Sequence, residues 1–467
     1  MKTKTQSKYN YDRTLYASER NDIDLAIVGE ALISQGLKMH TETNFLRLVE
    51  LIRGADTAYV HAEMLFHNYE HPPTDKRVGT YMRCDPRYIE DLKWMGFRMM
   101  SQAHNHSIDF GEGGVLKNIE NLNQYGVVHA GTGRNLAEAR APAYLETPKG
   151  RVALLSGTTT LFSWGRAGDQ RRDMQGRPGA NLLRHYTEYT VDPKTFASIK
   201  QLGESLGLTQ GSPAYKPHGS AHIPADTKTE IHVSGLTDGL HHYTRFRLGK
   251  KNEKHSYPHP PDLEGTLERI RDARRMAQWV IVAMHNQDVP GDEPPEHARI
   301  MYHAMIDAGA DVIAGTGPHQ DRGIEIYKGR PIFYGIGDFI LQNDTVLLEP
   351  QDQYENAGLS WGATPADFYD KRAGYEGPGV GRPTRGQSVT PRNWQSGMHR
   401  VRFEAGKLKE IRIFPVDAGY GKPRWQQGRP VLADGDVARE ILDRYQRLSK
   451  PFGTRVQITG NVGLIRL

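Results

Sequence analysis

Five short apolar runs, residues 25–28, 58–60, 97–100, 280–284 and 311–314, each stop at a polar or glycine-rich segment, and helical spacing fills much of the chain between them. Residues 44–53 set Phe45, Leu46, Leu48, Leu51 and Ile52 at helical spacing, and Asp85-Pro86 caps and opens a second helix through Ile89, Leu92 and Trp94. A third helix is predicted over 113–125, followed by strands over 127–130 and 151–156. Alternating strand and helix predict βαβ units and a layered α/β sheet. The rhythm resumes with a helix over 262–278, a strand over 279–285, a helix over 295–308 and strands over 311–315, 323–327 and 331–336. It closes with a hairpin, 398–404 and 407–415, turning at Ala405-Gly406, and a helix over 433–449.

Two stretches break this pattern. Residues 162–260 are rich in Gly, Arg, His and Pro, with one helix predicted over 193–206 and glycines spaced through 203–219; residues 343–396 are dense in Gly, Pro, Asp, Tyr and Trp. Insertions between core elements usually cap a site or move over it, so both read as lids. The division that follows is an N-terminal arm, 1–22, a core, 23–342, interrupted by the 162–260 insertion, a lid, 343–396, and a segment, 397–467, that completes the core.

Composition narrows the class. The 467 residues exceed the roughly 250–300 at which one core stops growing, so one large elaborated domain or two domains are expected. Sixty Lys and Arg against 55 Asp and Glu leave a net charge of +5 with no basic stripe, which argues against a nucleic-acid partner. Residues 1–24 are too polar for a signal peptide, and no segment reaches the roughly 18 apolar residues of a spanning helix, so no membrane partner is expected. Cys84, the only cysteine, cannot form an internal disulfide. These features predict a cytoplasmic protein with a small-molecule substrate; a homo-oligomer is left open.

Chemistry gathers where the apolar runs end. Glu30 follows the first, His61 and Glu63 the second, and the segment Ser101-Gln102-Ala103-His104-Asn105-His106-Ser107-Ile108-Asp109-Phe110-Gly111 the third; His285 and then Gly315-Thr316-Gly317-Pro318-His319 end the last two. The C-terminal ends of strands are where open α/β sheets build ligand sites. Glu30, Glu63, Asn105, His285 and His319 supply the oxygen and imidazole donors that a divalent cation takes. His61 projects to the same strand face as Glu63 and is either a further ligand or the partner of a neighbouring polar group. Phe162, Trp164, Tyr186 and Tyr189, with Tyr354, Trp361, Phe368 and Tyr369, either wall an apolar or aromatic substrate or pin the insertions down. Arg177, Arg184 and Lys216 are candidates to pair with a substrate carboxylate or phenolate. A phosphate-binding loop and a Cys-x-x-Cys pair are both absent from the sequence.

The order of these motifs resembles the CapA or poly-γ-glutamate capsule-synthesis family, which has a calcineurin-like metallophosphatase fold. Gly29-Glu30 resembles the family's Gly-Asp, His61-Ala62-Glu63 its Asn-Leu-Glu, and His104 through Gly111 its Asn-Asn-His segment. Gly131-Thr132-Gly133 through Ala139 resembles its Gly-x-Gly-x-Asn segment, and Met284-His285 its His-Trp-Gly strand end. Gly315 through His319 resembles the Gly-x-His-Pro-His turn, and Gly335-Ile336-Gly337-Asp338-Phe339 the Gly-Asn-Phe block. Arg177 through Asn181 and Ser449 through Thr454 are similar to one soluble branch. The resemblance implies a four-layer α/β/β/α sandwich of mixed sheets carrying two large loop insertions.

Four departures shape the functional expectation. Gly317 stands where the family has the first histidine of its turn, Glu30 replaces Asp, His61 replaces Asn, and Asp338 replaces Asn. A two-metal phosphatase centre needs a full double ligand set, so one divalent cation is expected, Mn, Zn, Ca or Mg, unless His61 or Asp338 restores a second site. The resemblance makes His106 the mobile acid–base group. Asp109 either orients it or caps the following helix, and His104 is either a complementary acid or a hydrogen-bonded neighbour. The leading expectation is acid–base cleavage or rearrangement of a small organic substrate, of lyase or isomerase type. The alternatives are a phosphoesterase or other hydrolase, and a component that synthesises or binds capsule poly-γ-glutamate.

Overall fold

A computed structural model describes residues 17–75, 79–210, 223–234, 236, 241, 243–287, 291–375, 383–386 and 389–467. Most of the predicted N-terminal arm, and Lys216, therefore lie outside the described residues. Among those described, two large mixed sheets lie face to face. The front sheet runs Gln457–Thr459, Val462–Arg466, Lys407–Asp417, Gln395–Glu404, Ile23–Leu32, Thr57–His61, Phe97–Ser101, Val128–Ala130. Its last four strands are parallel. Gln395–Glu404 pairs antiparallel with Ile23–Leu32 from Ile23 to Ile27, and Asp338–Leu341 then takes over that side from Glu30 onward. The back sheet runs Ile324–Tyr327, Arg330–Phe333, Val312–Thr316, Trp279–His285, Gly150–Thr158, Ala143–Thr147, with its four central strands parallel.

Side-chain alternation sets the layers. Leu25 and Ile27 face the back sheet while Ala26 and Val28 face outward; Trp279, Ile281 and Ala283 face the front sheet while Val280, Val282 and Met284 face outward. Tyr59, Met99, Leu154, Val312 and Phe333 share the layer between the sheets. Outside the front sheet pack the helices Thr43–Arg53 and Ile89–Met95, through Phe45, Leu48, Ile52 and Leu92. Outside the back sheet pack Pro260–Met276 and Glu296–Ala308, through Ile270, Met301 and Met305. The result is the four-layer α/β/β/α sandwich that the family resemblance implies. Burial of both faces explains why the core strands read as continuous apolar runs.

The two insertions are more ordered than their composition suggests. Beside the predicted helix, Pro193–Ser205, the first carries a four-stranded sheet in the order Glu230–Ser234, Tyr243–Leu248, His185–Val191, Glu253–Pro258. The Ser256 hydroxyl accepts from the His297 N–H at 3.2 Å, which sets this sheet against the helix Glu296–Ala308. The second insertion forms the helices Gln351–Asn356 and Pro365–Ala373, whose Tyr354, Phe368 and Tyr369 join the outer cluster of the front sheet. Among the described residues no helix is long and apolar enough to cross a membrane.

Candidate metal centre

Strand register assembles the acids. Glu30 is paired with His61 on one side and Asp338 on the other, so three polar side chains meet in one row of the front sheet. Gly29 permits the row: a Cβ there would lie 1.8 Å from the Gly337 carbonyl oxygen, to which the Glu30 N–H donates at 3.0 Å. From the back sheet, His285 ends its strand and the turn after Val312–Thr316 presents His319, held at φ 55 in the left-handed region. Strained backbone of this kind persists where surrounding structure over-determines it.

Two groups of potential ligands result, His61, Glu63 and His285, and Glu30, His319 and Asp338, with the donor atoms of each within 4.8 Å of one another. In the first, His285 Nε2 lies 4.0 Å from Glu63 Oε1, and His285 Nδ1 lies 3.1 Å from His61 Nε2. The Ser101 hydroxyl, 2.6 Å from His61 Nδ1, fixes that ring, so His61 both bonds a neighbour and faces the centre. In the second, His319 Nδ1 lies 2.6 Å from Glu30 Oε2 and 2.8 Å from Asp338 Oδ1. Both substituted positions, His61 and Asp338, are thus part of the donor set; Asp338 is the member that sequence reasoning left out of its ligands.

Gly317 does more than omit an imidazole. Its φ of 109 and a Cβ position 2.4 Å from the Asn286 carbonyl carbon exclude any side chain. Its N–H donates instead to Glu30 Oε1. Asn105 donates through Nδ2 to Gln287 Oε1 at 3.2 Å, while its Oδ1 is buried without a hydrogen-bond partner.

The electrostatics suit a cation. Glu30, Glu63 and Asp338 are fully buried. Burial pushes the Glu63 carboxyl well above the usual carboxylate range, and Glu30 adds to the push. Burial likewise carries Asp338 well up despite the opposing pull of His319. Burial raises Glu30, but His319, His285 and Asp338 together outweigh it, and Glu30 ends well below the usual range. His319 answers in kind: burial would lower it, yet Glu30, Asp338 and Glu63 hold it well above the ordinary histidine value. Burial pushes His61 down to about 4 and His285 well below its ordinary value, so both rings are neutral, the form that ligates metal. Among the described residues no hydrogen-bond donor reaches either Glu63 oxygen, and His285 Nε2 has no hydrogen-bond partner. Three buried acidic side chains, the neutral imidazoles of His61 and His285 and unanswered donor atoms fit a divalent cation, whose charge would hold the acids ionised.

Beside this centre stands a histidine–carboxylate pair. His106 Nδ1 lies 2.7 Å from Asp109 Oδ2, and its Nε2 lies 3.8 Å from Glu63 Oε1. Asp109 also accepts from the Met82 N–H at 2.9 Å, whereas the helix Gly111–Gln124 has no side-chain cap. Of the two roles open to Asp109, the geometry shows the contact to His106. His104 is buried with its ring 5.5 Å from that of His61 and 6.4 Å from that of His106.

A cavity of about 350 Å³ opens over the centre. Asn105, His106, Gln287 and His319 line it from the core, and Asn343, Tyr369, Arg372 and Arg385 from the second insertion. Its described lining includes none of Trp164, Tyr186, Arg177 and Trp361. Trp164 stacks on Phe162 at 5.5 Å, Arg177 donates to the Arg166 carbonyl, Tyr186 sits beside Tyr257 in the four-stranded sheet, and Trp361 is 83 % exposed. Arg184 is bound to Asp262 at 2.7 Å. Arg372 and Arg385 went unrecognised in the sequence because a charge in an irregular insertion carries no periodic signal.

The comparisons agree with this architecture. The family described as bacterial capsule synthesis protein PGA_cap matches residues 24–343. The uncharacterised protein y4uA of Sinorhizobium fredii is 32% identical over 478 residues, covering 98% of this chain and 96% of that protein. The PGA biosynthesis protein CapA of Bacillus subtilis is 21% identical over 369 residues, 74% of this chain and 72% of that one. A probable polyglutamine synthesis accessory protein of Mycobacterium tuberculosis is 43% identical over 91 residues, 18% of this chain and 20% of its own. A family match that takes in the back sheet, the parallel strands of the front sheet and all six residues of the two ligand groups leaves one assignment: the chain belongs to the bacterial capsule synthesis protein family.

Proposed function

We propose that this chain is a metal-dependent enzyme of capsule-polymer metabolism that cleaves or transfers an amide of a poly-γ-glutamate-like chain. The observation that carries the reading is the row Asp109, His106 and Glu63, whose middle member, His106, lines the cavity. The relatives named for PGA biosynthesis and polyglutamine synthesis supply the substrate class. They favour the capsule-polymer alternative over a lyase or isomerase, and the aromatic residues of the first insertion are absent from the described cavity lining.

The His61–Glu63–His285 group is the one better suited to a cation, because burial keeps both of its rings neutral, whereas in the other group Glu30 and Asp338 hold His319 well above the ordinary histidine value, in the protonated form that does not ligate. One cation per chain is the expected load, with Asn105 Oδ1 as an added donor. When bound, the cation supplies Lewis-acid polarisation of the scissile carbonyl. The remaining work falls to the protein. Asp109 accepts from His106 Nδ1 and so leaves Nε2 facing the centre, where it takes a proton from the attacking group and returns it to the leaving nitrogen. Gln287 holds the Asn105 amide in place.

The test is to load the purified protein with Mn or Zn, count metal per chain, and follow a γ-linked glutamate oligomer by mass spectrometry. Shortened or transferred oligomers are expected with the wild type, and His106→Ala should keep the metal and lose the reaction. An unchanged oligomer in the loaded wild type, or full turnover in His106→Ala, overturns the proposal.

A further inference from the structure

The cavity has two unlike sides. Its buried floor carries His106 and His319, with Asn105 beside them; its more open lining carries Arg372, Arg385 and Asp344, all contributed by the second insertion. Arg372 is held in place, donating to Thr80 Oγ1 and, at 3.4 Å, to the Asn343 carbonyl, with its guanidinium 5.3 Å from the centre of the Tyr369 ring. Arg385 is exposed, and its backbone N–H donates to the Ala373 carbonyl at 3.2 Å, which anchors it just beyond the helix Pro365–Ala373. Neither arginine has a carboxylate ion-pair partner among the described residues, although many of the other described arginines do. Asp344 lines the same cavity without an ion pair to either arginine, and Glu349 is engaged elsewhere, accepting from the Tyr81 N–H and the Tyr369 hydroxyl, each at 3.1 Å.

We infer that Arg372 and Arg385 form a carboxylate-binding subsite on the more open side of the cavity, which takes free carboxylates of the substrate chain while one of its amides reaches the floor. This rests on the polymer reading above and adds to it the residues that select for an acidic chain. The chemistry is specific. A planar guanidinium binds a carboxylate through paired N–H donors, and Arg372, already restrained by Thr80 and the Tyr369 ring, loses little freedom on doing so. A γ-linked glutamate chain offers one free carboxylate per residue, so a lining with two guanidinium groups engages it repeatedly without fixing which amide lies at the floor. A volume of about 350 Å³ admits a short stretch of such a chain.

The experiment titrates two fluorescent probes into the full-length, metal-loaded protein: a γ-linked glutamate pentamer, and the same pentamer with every free side carboxylate converted to carboxamide. The wild type should bind the acid at least about tenfold more tightly than the amide. R372Q and R385Q should each weaken acid binding by about threefold, leave amide binding unchanged, and together erase the preference. Metal content and melting temperature report folding, and R385Q, at an exposed position, keeps the test valid if R372Q does not fold. Retention of the preference in a folded R372Q/R385Q protein overturns the subsite. Equal wild-type binding of both probes overturns the subsite and leaves the polymer reading standing, whereas binding of neither overturns both.

Discussion

At Gly317 the geometry decides what a substitution can achieve. Installing the histidine that the family carries there would not complete a second metal site, because the Cβ would collide with the Asn286 backbone and φ 109 disfavours any side chain. Gly317→Ala is expected to cost more than about 1 kcal/mol in chemical denaturation and to release Glu30 from its backbone donor. A variant as stable as the wild type would show that the turn relaxes. His399 makes a second residue-scale case. It is buried between the sheets, 4.7 Å ring to ring from Phe333, and burial pushes it down to about 3. The unfolded chain takes up this proton below about pH 6.5 and the folded chain does not, so stability is full above that pH and falls as pH drops towards 3. Each unit costs about 1.4 kcal/mol. Between pH 6.5 and 5 the wild type should therefore lose about 2 kcal/mol more than His399→Leu, measured as unfolding free energies at both pH values. The two residues differ in legibility. Gly317 was visible in the sequence as a missing ligand, but its backbone role was not, since φ and close approach belong to tertiary structure. Asp109 stood open between two roles until the distance to His106 was known.

Among elements, the core strands and helices were legible because each is an apolar run or a stripe of helical period. The first insertion was not. His185–Val191 reads His-Tyr-Thr-Glu-Tyr-Thr-Val, polar on both faces, so no alternation announces a strand. The second insertion was read as a lid on composition, yet its helix Pro365–Ala373 is rooted: Phe368 is 3 % exposed within the front sheet's outer cluster, and the Tyr369 hydroxyl donates to the Val346 carbonyl at 2.9 Å. Phe368→Ala should cost about 3 kcal/mol in equilibrium unfolding. It should also weaken binding of an acidic oligomer, since Arg372 and Arg385 ride on the same insertion. A large loss of stability with unchanged binding would separate the helix from the subsite.

Over the whole molecule, each sheet contributes donors to the centre, Glu30, His61 and Glu63 from the front and His285 and His319 from the back. Cation binding therefore ties the two halves of the sandwich together. At a metal concentration about 100 times its Kd, unfolding should become harder by about 2.7 kcal/mol, read as a rise in melting temperature reversed by chelator. Glu63→Ala should abolish most of that rise, and an unchanged melting temperature on loading the wild type would place the cation elsewhere. The partner change along Ile23–Leu32 carries a last consequence. Asp338–Leu341 and Gln395–Glu404 both dock on the same flank of this strand, so the second insertion leaves and re-enters the core at two neighbouring, fixed points. It is in effect an exchangeable cassette. Provided that its aromatic plug against the front sheet is kept, its remaining sequence can diverge, and with it the lining of the cavity, while the register that assembles Glu30, His61 and Asp338 is inherited unchanged.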